Sequence, residues 1–433
     1  MPHSLIPRIS NNLRYRDYER CDSRSERSYF ELILEETDGA CVAYNTLSNV
    51  YDSLGDYKKA IEFHQQSLRI AKTIEDKGLE GAAYTNLGNA YYSLSDYKKA
   101  IEFHQQSLSI AKEIGNKGSE VKAYGGLGNA YDSLGDYKKA IEFHQHSLSI
   151  AKEIGDKVTE GRAYGNLGSA YRSLGDYKKA IEFHQQSLSF AKEIGIKVTE
   201  GRAYANLGLA YRSLGDYKKA IEFHQQSLSI AKEMGDKASQ GGAYGDLGSA
   251  YHCLGDYEKA IEFYQQSLSI AKEIGQKGSQ GATYANLGVV YDSLGDHKKA
   301  IEFYQQSLSI TKEIGDKASE GAAYGNLGIA YHYLGDYKKA IEFHQQSLSI
   351  AKEIRQKRLE QKAQANLGHS FRKLHDFRQA EECYESSIKV FEEMRFLLQE
   401  KDEWKISFRD QVKTYSSLSV SYTHLTLPTK RIV

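Results

Sequence analysis

Residues 161–200 read GRAYGNLGSAYRSLGDYKKAIEFHQQSLSFAKEIGIKVTE, and this 40-residue string decides the fold. Tyr164, Leu167, Gly168, Tyr171 and Leu174 recur at the three-and-four spacing of one helical face, which predicts an amphipathic helix. Gly175 suits a left-handed helix end, and Asp176 is a good N-cap for a second helix. In that helix Tyr177, Ala180, Ile181, His184, Leu188 and Ala191 form the apolar stripe. Gly195 closes it, and Thr199 is expected to cap the helix of the following copy.

The same pattern recurs every 40 residues from Cys41 onward. Eight close copies fill 41–360, and a ninth, diverged copy fills 361–400. Proline occurs only at Pro2, Pro7 and Pro428, so nothing interrupts the helices between. Two short helices cannot bury both of their faces alone. Stacked copies bury them against neighbours, so stability accumulates along the array. Gly168 and Ala180 are small where two helices must approach closely, and larger side chains there would push the pair apart.

The string Ala-Tyr-x-x-Leu-Gly-x-x-Tyr, with an alanine nine residues after the last tyrosine, resembles the tetratricopeptide repeat. The match covers about 360 of the 433 residues. The resemblance implies an all-α fold, a right-handed α-solenoid of nine tandem helix–turn–helix repeats. These copies are longer than the usual 34-residue form. In that respect they are similar to the repeats of spindle-orientation adaptors that bind receptor-complex proteins and G-protein α subunits. They also resemble those of very long tetratricopeptide proteins that end in a caspase-like CHAT domain.

Outside the array, residues 1–40 are polar, have no repeat match, and read as a flexible leader or degenerate repeat. Residues 389–419 are expected to continue as a capping helix, with Trp404, Ile406 and Phe408 covering the last exposed face. Within them, 401–419 also reads as the start of a downstream region, because EKDEWKISFRD resembles the stretch that joins repeats to the CHAT domain. Residues 420–433, VSYTHLTLPTKRIV, resemble translated read-through of a transposase sequencing adapter and are expected to be an artefactual tail.

Lysine plus arginine total 57 and aspartate plus glutamate total 57, so the net charge is zero and nucleic acid is a weak candidate partner. Cys21, Cys41, Cys253 and Cys383 form no CxxC pair, which argues against a disulfide framework or zinc knuckle. The start lacks an apolar run long enough for a signal peptide, and no stretch approaches a membrane span. A cytoplasmic protein with no membrane insertion is the expectation.

The copies differ mainly at their second, fifth, ninth and twelfth positions, which share one face of the first helix. In tetratricopeptide proteins that face lines the concave groove. At the ninth position Asn49, Asn89 and Asn129 offer donors and acceptors suited to the backbone of an extended peptide. Lys122, Arg162, Arg172, Arg202 and Arg212 are expected to form a positive stretch that grips carboxylates. The plainer alternative is a solvated polar face with no ligand. Downstream, Val289 and Ile329 either take apolar side chains of the same partner or pack against a neighbouring copy.

Other features favour structural readings. His64, His104, His144, His184, His224 and His344 form a ladder, but equivalent residues of stacked copies sit too far apart to share one zinc ion. Tyrosine takes the same place at Tyr264, Tyr304 and Tyr384, which points to an aromatic-sized packing slot. Cys253 and His252 are adjacent on a helix and so diverge, and no third orienting group is visible. Pairs such as Lys178 and Lys179 read as a solvated outer face. No P-loop, dinucleotide turn or HExxH occurs.

These readings converge on a non-enzymatic scaffold or adaptor without cofactor or metal, holding an extended acidic peptide or tail of another protein in its groove. Two alternatives follow from the resemblances. One is the sensor arm of a truncated CHAT-type cysteine protease. The other is a G-protein-signalling, spindle-orientation adaptor.

Overall fold

The computed structural model describes residues 38–399. Among these residues there are 18 helices, in consecutive pairs, and no strand. The capping helix expected beyond residue 400, with Trp404, Ile406 and Phe408, and the tail from 420 lie outside the described residues. Of the expected leader, residues 38–40 belong to the first helix, Asp38–Ser53. The chain divides into two compact units after Ala163, within the helix Lys157–Leu174.

Most turns between paired helices are made by the expected glycine and aspartate, whereas Ser95 and His375 stand at the left-handed position in the second and ninth copies. Gly175 takes φ +89°, a left-handed conformation that costs an L side chain roughly 1–2 kcal/mol. The Gly175 amide then donates to Arg172 carbonyl at 3.0 Å, and the Asp176 amide to Tyr171 carbonyl at 2.9 Å. Asp176 in turn accepts the Lys179 amide at 3.2 Å and starts the helix Tyr177–Glu193.

The expectation for Thr199 is corrected. The helix runs Lys197–Leu214, so Thr199 already lies inside it, and the cap is Ile196, whose side chain cannot accept a hydrogen bond. Gly195 reverses the chain at φ +69°, leaving only one non-helical residue before the helix resumes. In the following copy Asp236 fills that cap and accepts the Ser239 amide at 3.1 Å.

The core lies between the second helix of one copy and the first helix of the next. In the first unit Ala100 and Ile101 pack on Leu127 and Ala130. In the second, Ala180 and Ile181 pack on Leu207 and Ala210. Leu207 is wholly buried, a burial that contributes about 1.5–3 kcal/mol.

Rings and cations finish each copy. Tyr171 stacks on Phe183 at 5.2 Å and 5°, and Lys179 stands over the Tyr171 ring at 5.1 Å. Tyr91, Phe103 and Lys99 repeat the arrangement in the first unit. One lysine of each such pair is therefore exposed yet committed to a ring, where its stem covers apolar surface.

Candidate functional site

Burial along the first helix follows the variation in sequence. In the helix Lys197–Leu214, Ala203, Tyr204, Leu207, Gly208 and Ala210 are buried. Arg202 is exposed, while Leu209 and Arg212 are half-buried on the opposite, open stripe. Side chains from successive first helices also meet directly. Ser133 donates to the Tyr92 hydroxyl at 3.0 Å in the first unit. His252 Nε2 lies 2.9 Å from Ser293 Oγ, and His332 Nδ1 lies 3.1 Å from Ser370 Oγ, in the second. Within each unit the first helices thus share one open face.

Asn49, Asn89 and Asn129 are exposed on that face in the first unit, together with Lys122 and Arg162. Arg172, Arg202 and Arg212 belong to the second unit. No more than three of the five cations therefore share a unit.

Arg172 and Arg212 are half-buried beside the histidines of their own copies. Burial holds His184 neutral and lowers its pKa to about 4, and the charge of Arg172 acts in the same direction. His224 is lowered to about 4 by burial and by Arg212. The histidines themselves are tightly packed. A Cβ at Gly208 would lie 2.4 Å from His224 Cε1, so the ring rests directly on the glycine backbone. Neither ring nitrogen of His184 or of His224 makes a hydrogen bond. His64 differs because Ser48 replaces the glycine: Ser48 Oγ reaches Nδ1 at 2.9 Å and Asp52 reaches Nε2 at 3.2 Å. Among the described residues no three His, Cys, Asp or Glu side chains converge as metal ligands.

The Cys253–His252 pair is not assembled for nucleophilic chemistry, since the His252 ring is turned to Ser293. Cys41 is buried against Ser67, and burial pushes the Cys383 thiol up to about 11, far from a reactive thiolate.

Sequence reasoning missed the sixth position of each copy. A Cβ at Gly126 would meet His104 of the preceding copy at 2.4 Å, so this position points at that histidine. In the second unit it carries Asn166, Asn206, Asp246, Asn286, Asn326 and Asn366, all half-buried. Asp246 departs from the asparagines: its carboxylate stands 3.9 Å from His224 Nδ1. Burial pushes the Asp246 carboxyl up to about 6, and the Arg212 charge opposes that shift. The available signal was a polar residue held nearly constant in helices whose other open positions vary.

The second unit also holds a cavity of about 610 Å³, lined by Val289, Asp292, His297, Tyr304, Ile329 and Tyr333 among others. Asp292 joins its polar side, accepting the Tyr304 hydroxyl at 2.9 Å and lying 2.9 Å from His297 Nδ1.

Two family models described as tetratricopeptide repeat match the chain. One matches residues 79–153, 119–193, 159–233, 239–313, 280–353 and 319–393, and the other 43–78. No curated protein matches it. Among solved structures, the apo form of the quorum sensor NprR from B. thuringiensis is similar at TM-score 0.54 and 18% identity, over 79% of this chain and 99% of that one. A Rap protein complexed with competence and sporulation factor is similar at TM-score 0.53 and 14% identity, over 83% and 99%. A signal transduction ATPase with numerous domains from Pyrococcus horikoshii, which carries a tetratricopeptide repeat sensor, gives TM-score 0.55 and 18% identity. That match covers 79% of this chain but 53% of the other. These likenesses concern the fold.

Proposed function

From the premise that this chain belongs to the tetratricopeptide repeat family, we propose that it is a non-catalytic scaffold holding an extended acidic segment of another protein on the open face of its first helices. The observation that carries this reading is the placement of Arg172 and Arg212. Both residues are half-buried, and each charge acts on the neutral, buried histidine of its own copy, so a carboxylate arriving there meets a cation partly shielded from water. Arg202, exposed on the same stripe, adds steering charge. The first unit, taken by itself, offers Lys122 and Arg162 to acidic groups and the amides of Asn49, Asn89 and Asn129 to a peptide backbone on its own open face. A reducing compartment, the cytoplasm, belongs to this reading, since Cys41, Cys253 and Cys383 are free thiols.

The experiment is a panning of random extended peptides against the full chain, followed by anisotropy titration of the selected peptides. Acidic sequences are expected to dominate. Arg172→Glu and Arg212→Glu should each weaken them by about tenfold or more, as loss of a charge-assisted hydrogen bond implies. Selection of peptides without acidic residues, or unchanged affinity in both variants, overturns the proposal.

A further inference from the structure

The near-identity of the copies supplies internal controls, and two departures from the common pattern meet in one place. Position thirteen is Ser53, Ser93, Ser133, Ser173, Ser213 and Ser293 in six copies, Cys253 in the sixth and Lys373 in the diverged ninth, but the aromatic Tyr333 in the eighth. Position seventeen is tyrosine in seven copies, such as Tyr177 and Tyr257, but His297 in the seventh. These two exceptions touch: the His297 and Tyr333 rings stack at 5.2 Å and 14°. Val289 and Ile329, apolar where the early copies have asparagine, stand beside them in the same cavity.

The chemistry of this cavity is specific. Its volume of about 610 Å³ falls within the range of ligand pockets, roughly 300–1,000 Å³. Its one acidic side chain is Asp292, already oriented by Tyr304 and His297 yet keeping further lone pairs. The Asn326 amide adds a carbonyl acceptor. Tyr333 is 67% exposed, so its ring is an open plate backed by the histidine. One carboxylate among hydroxyl and amide groups, an aromatic plate and aliphatic walls complement a flat cation on an apolar stem. Guanidinium has that form: five donors, no acceptor, and a planar face that stacks on rings. A phosphate or carboxylate would meet like charge, and a purely aliphatic group would strip water from Asp292 without pairing it.

We propose that the Asp292–His297–Tyr333 cavity is an arginine-binding subsite, which seats an arginine side chain of the partner against the Tyr333 ring and the Asp292 carboxylate. The attachment of that arginine to a longer segment rests on the peptide-holding reading; the subsite itself does not. Its partner would then carry acid toward the Arg172 and Arg212 end of the second unit and a basic residue toward Asp292.

The test uses the full chain and saturation-transfer NMR with Nα-acetyl-arginine methylamide as the probe. The citrulline, lysine and leucine derivatives serve as comparators. The variants are Tyr333→Ser and His297→Tyr, which restore residues that other copies already tolerate, together with Asp292→Asn. The arginine probe should show saturation of its δ-methylene protons about threefold or more above the neutral citrulline isostere. That signal should fall by about threefold in Tyr333→Ser and in Asp292→Asn, with the helical signal in circular dichroism unchanged. Equal transfer in wild type and Tyr333→Ser overturns the proposal. So does stronger transfer to the leucine derivative, or no transfer to any probe. If the arginine probe binds as expected while Arg172→Glu and Arg212→Glu leave acidic peptides unaffected, the subsite stands and the peptide reading fails.

Discussion

Replacing Gly242 and Gly248 separately with alanine should move stability in opposite directions, although both lie in the helix Lys237–Leu254. Alanine is favoured over glycine in a helix interior by about 0.8–1 kcal/mol, so chain entropy alone predicts the same gain for both. A Cβ at Gly242 meets nothing within 4 Å, and the full gain is expected there. At Gly248 the Cβ would lie 2.8 Å from Tyr264 Cδ1 and 2.9 Å from Cε1. Tyr264 is 3% exposed, and its hydroxyl lies 2.9 Å from Ser249 Oγ, so the ring has little room to withdraw. Overpacking of this kind costs about 1–3 kcal/mol, which turns the gain into a net loss of up to about 2 kcal/mol. Urea denaturation followed by circular dichroism measures both variants, with a check that the transition slope is unchanged, because repeat arrays can lose all-or-none behaviour. If Gly248→Ala proves as stabilising as Gly242→Ala, the ring-on-glycine contact is not a constraint and the account of the packed column is wrong.

Acid should destabilise the array well above the range of ordinary carboxylates. His104, His144, His184 and His224 are held down to about 4 by burial, whereas a histidine in the unfolded chain titrates near 6.5. Between those values the unfolded chain takes up protons that the folded one refuses, so stability falls as pH drops from about 6.5 towards 4, by roughly 3 kcal/mol per ring at the limit. Asp246, raised to about 6, acts oppositely as a single group. Thermal midpoints at pH 7.5, 6 and 5 check this, and a flat profile contradicts it. Two repairs should stabilise. Ile196→Asp supplies the missing helix cap, worth about 0.5–2 kcal/mol. Ser95→Gly relieves a side chain at φ +61°, worth about 1–2 kcal/mol. Thermal shifts that fail to rise in either variant count against the corresponding local reading. For the acidic partner, affinity should fall as salt rises, and the Arg172→Glu, Arg212→Glu double variant should remove most of that dependence.

The period, the paired helices and the glycine–aspartate turn were legible because each is written within a few consecutive residues. Tyr171, Gly175 and Asp176 need no knowledge of the next copy to be read. The cap at Ile196 was misjudged because apolar spacing marks the buried face of a helix and leaves its first polar turn unmarked; Thr199 is a plausible cap by type but lies too late. The histidine slot was inferred correctly as aromatic packing from the tyrosine alternates, but its glycine floor depends on two helices meeting. The sixth-position column and the stacked His297–Tyr333 pair were missed for the same reason, since their contacts join residues of different copies. Spacing within a helix does not announce which residues will face each other across a boundary.

Burying each copy's second helix against the first helix of its successor has a consequence for how such a molecule changes over generations. Since Ala180, Ile181, Leu207 and Ala210 recreate the same junction as Ala100, Ile101, Leu127 and Ala130, unequal crossing-over can insert or delete one whole unit of length without leaving any mismatched surface. Each such event adds or removes one junction's stability and leaves the remaining packing intact. What alters is the spacing between distinctive residues such as Arg172 and Tyr333, as though the marks on a tape had been moved.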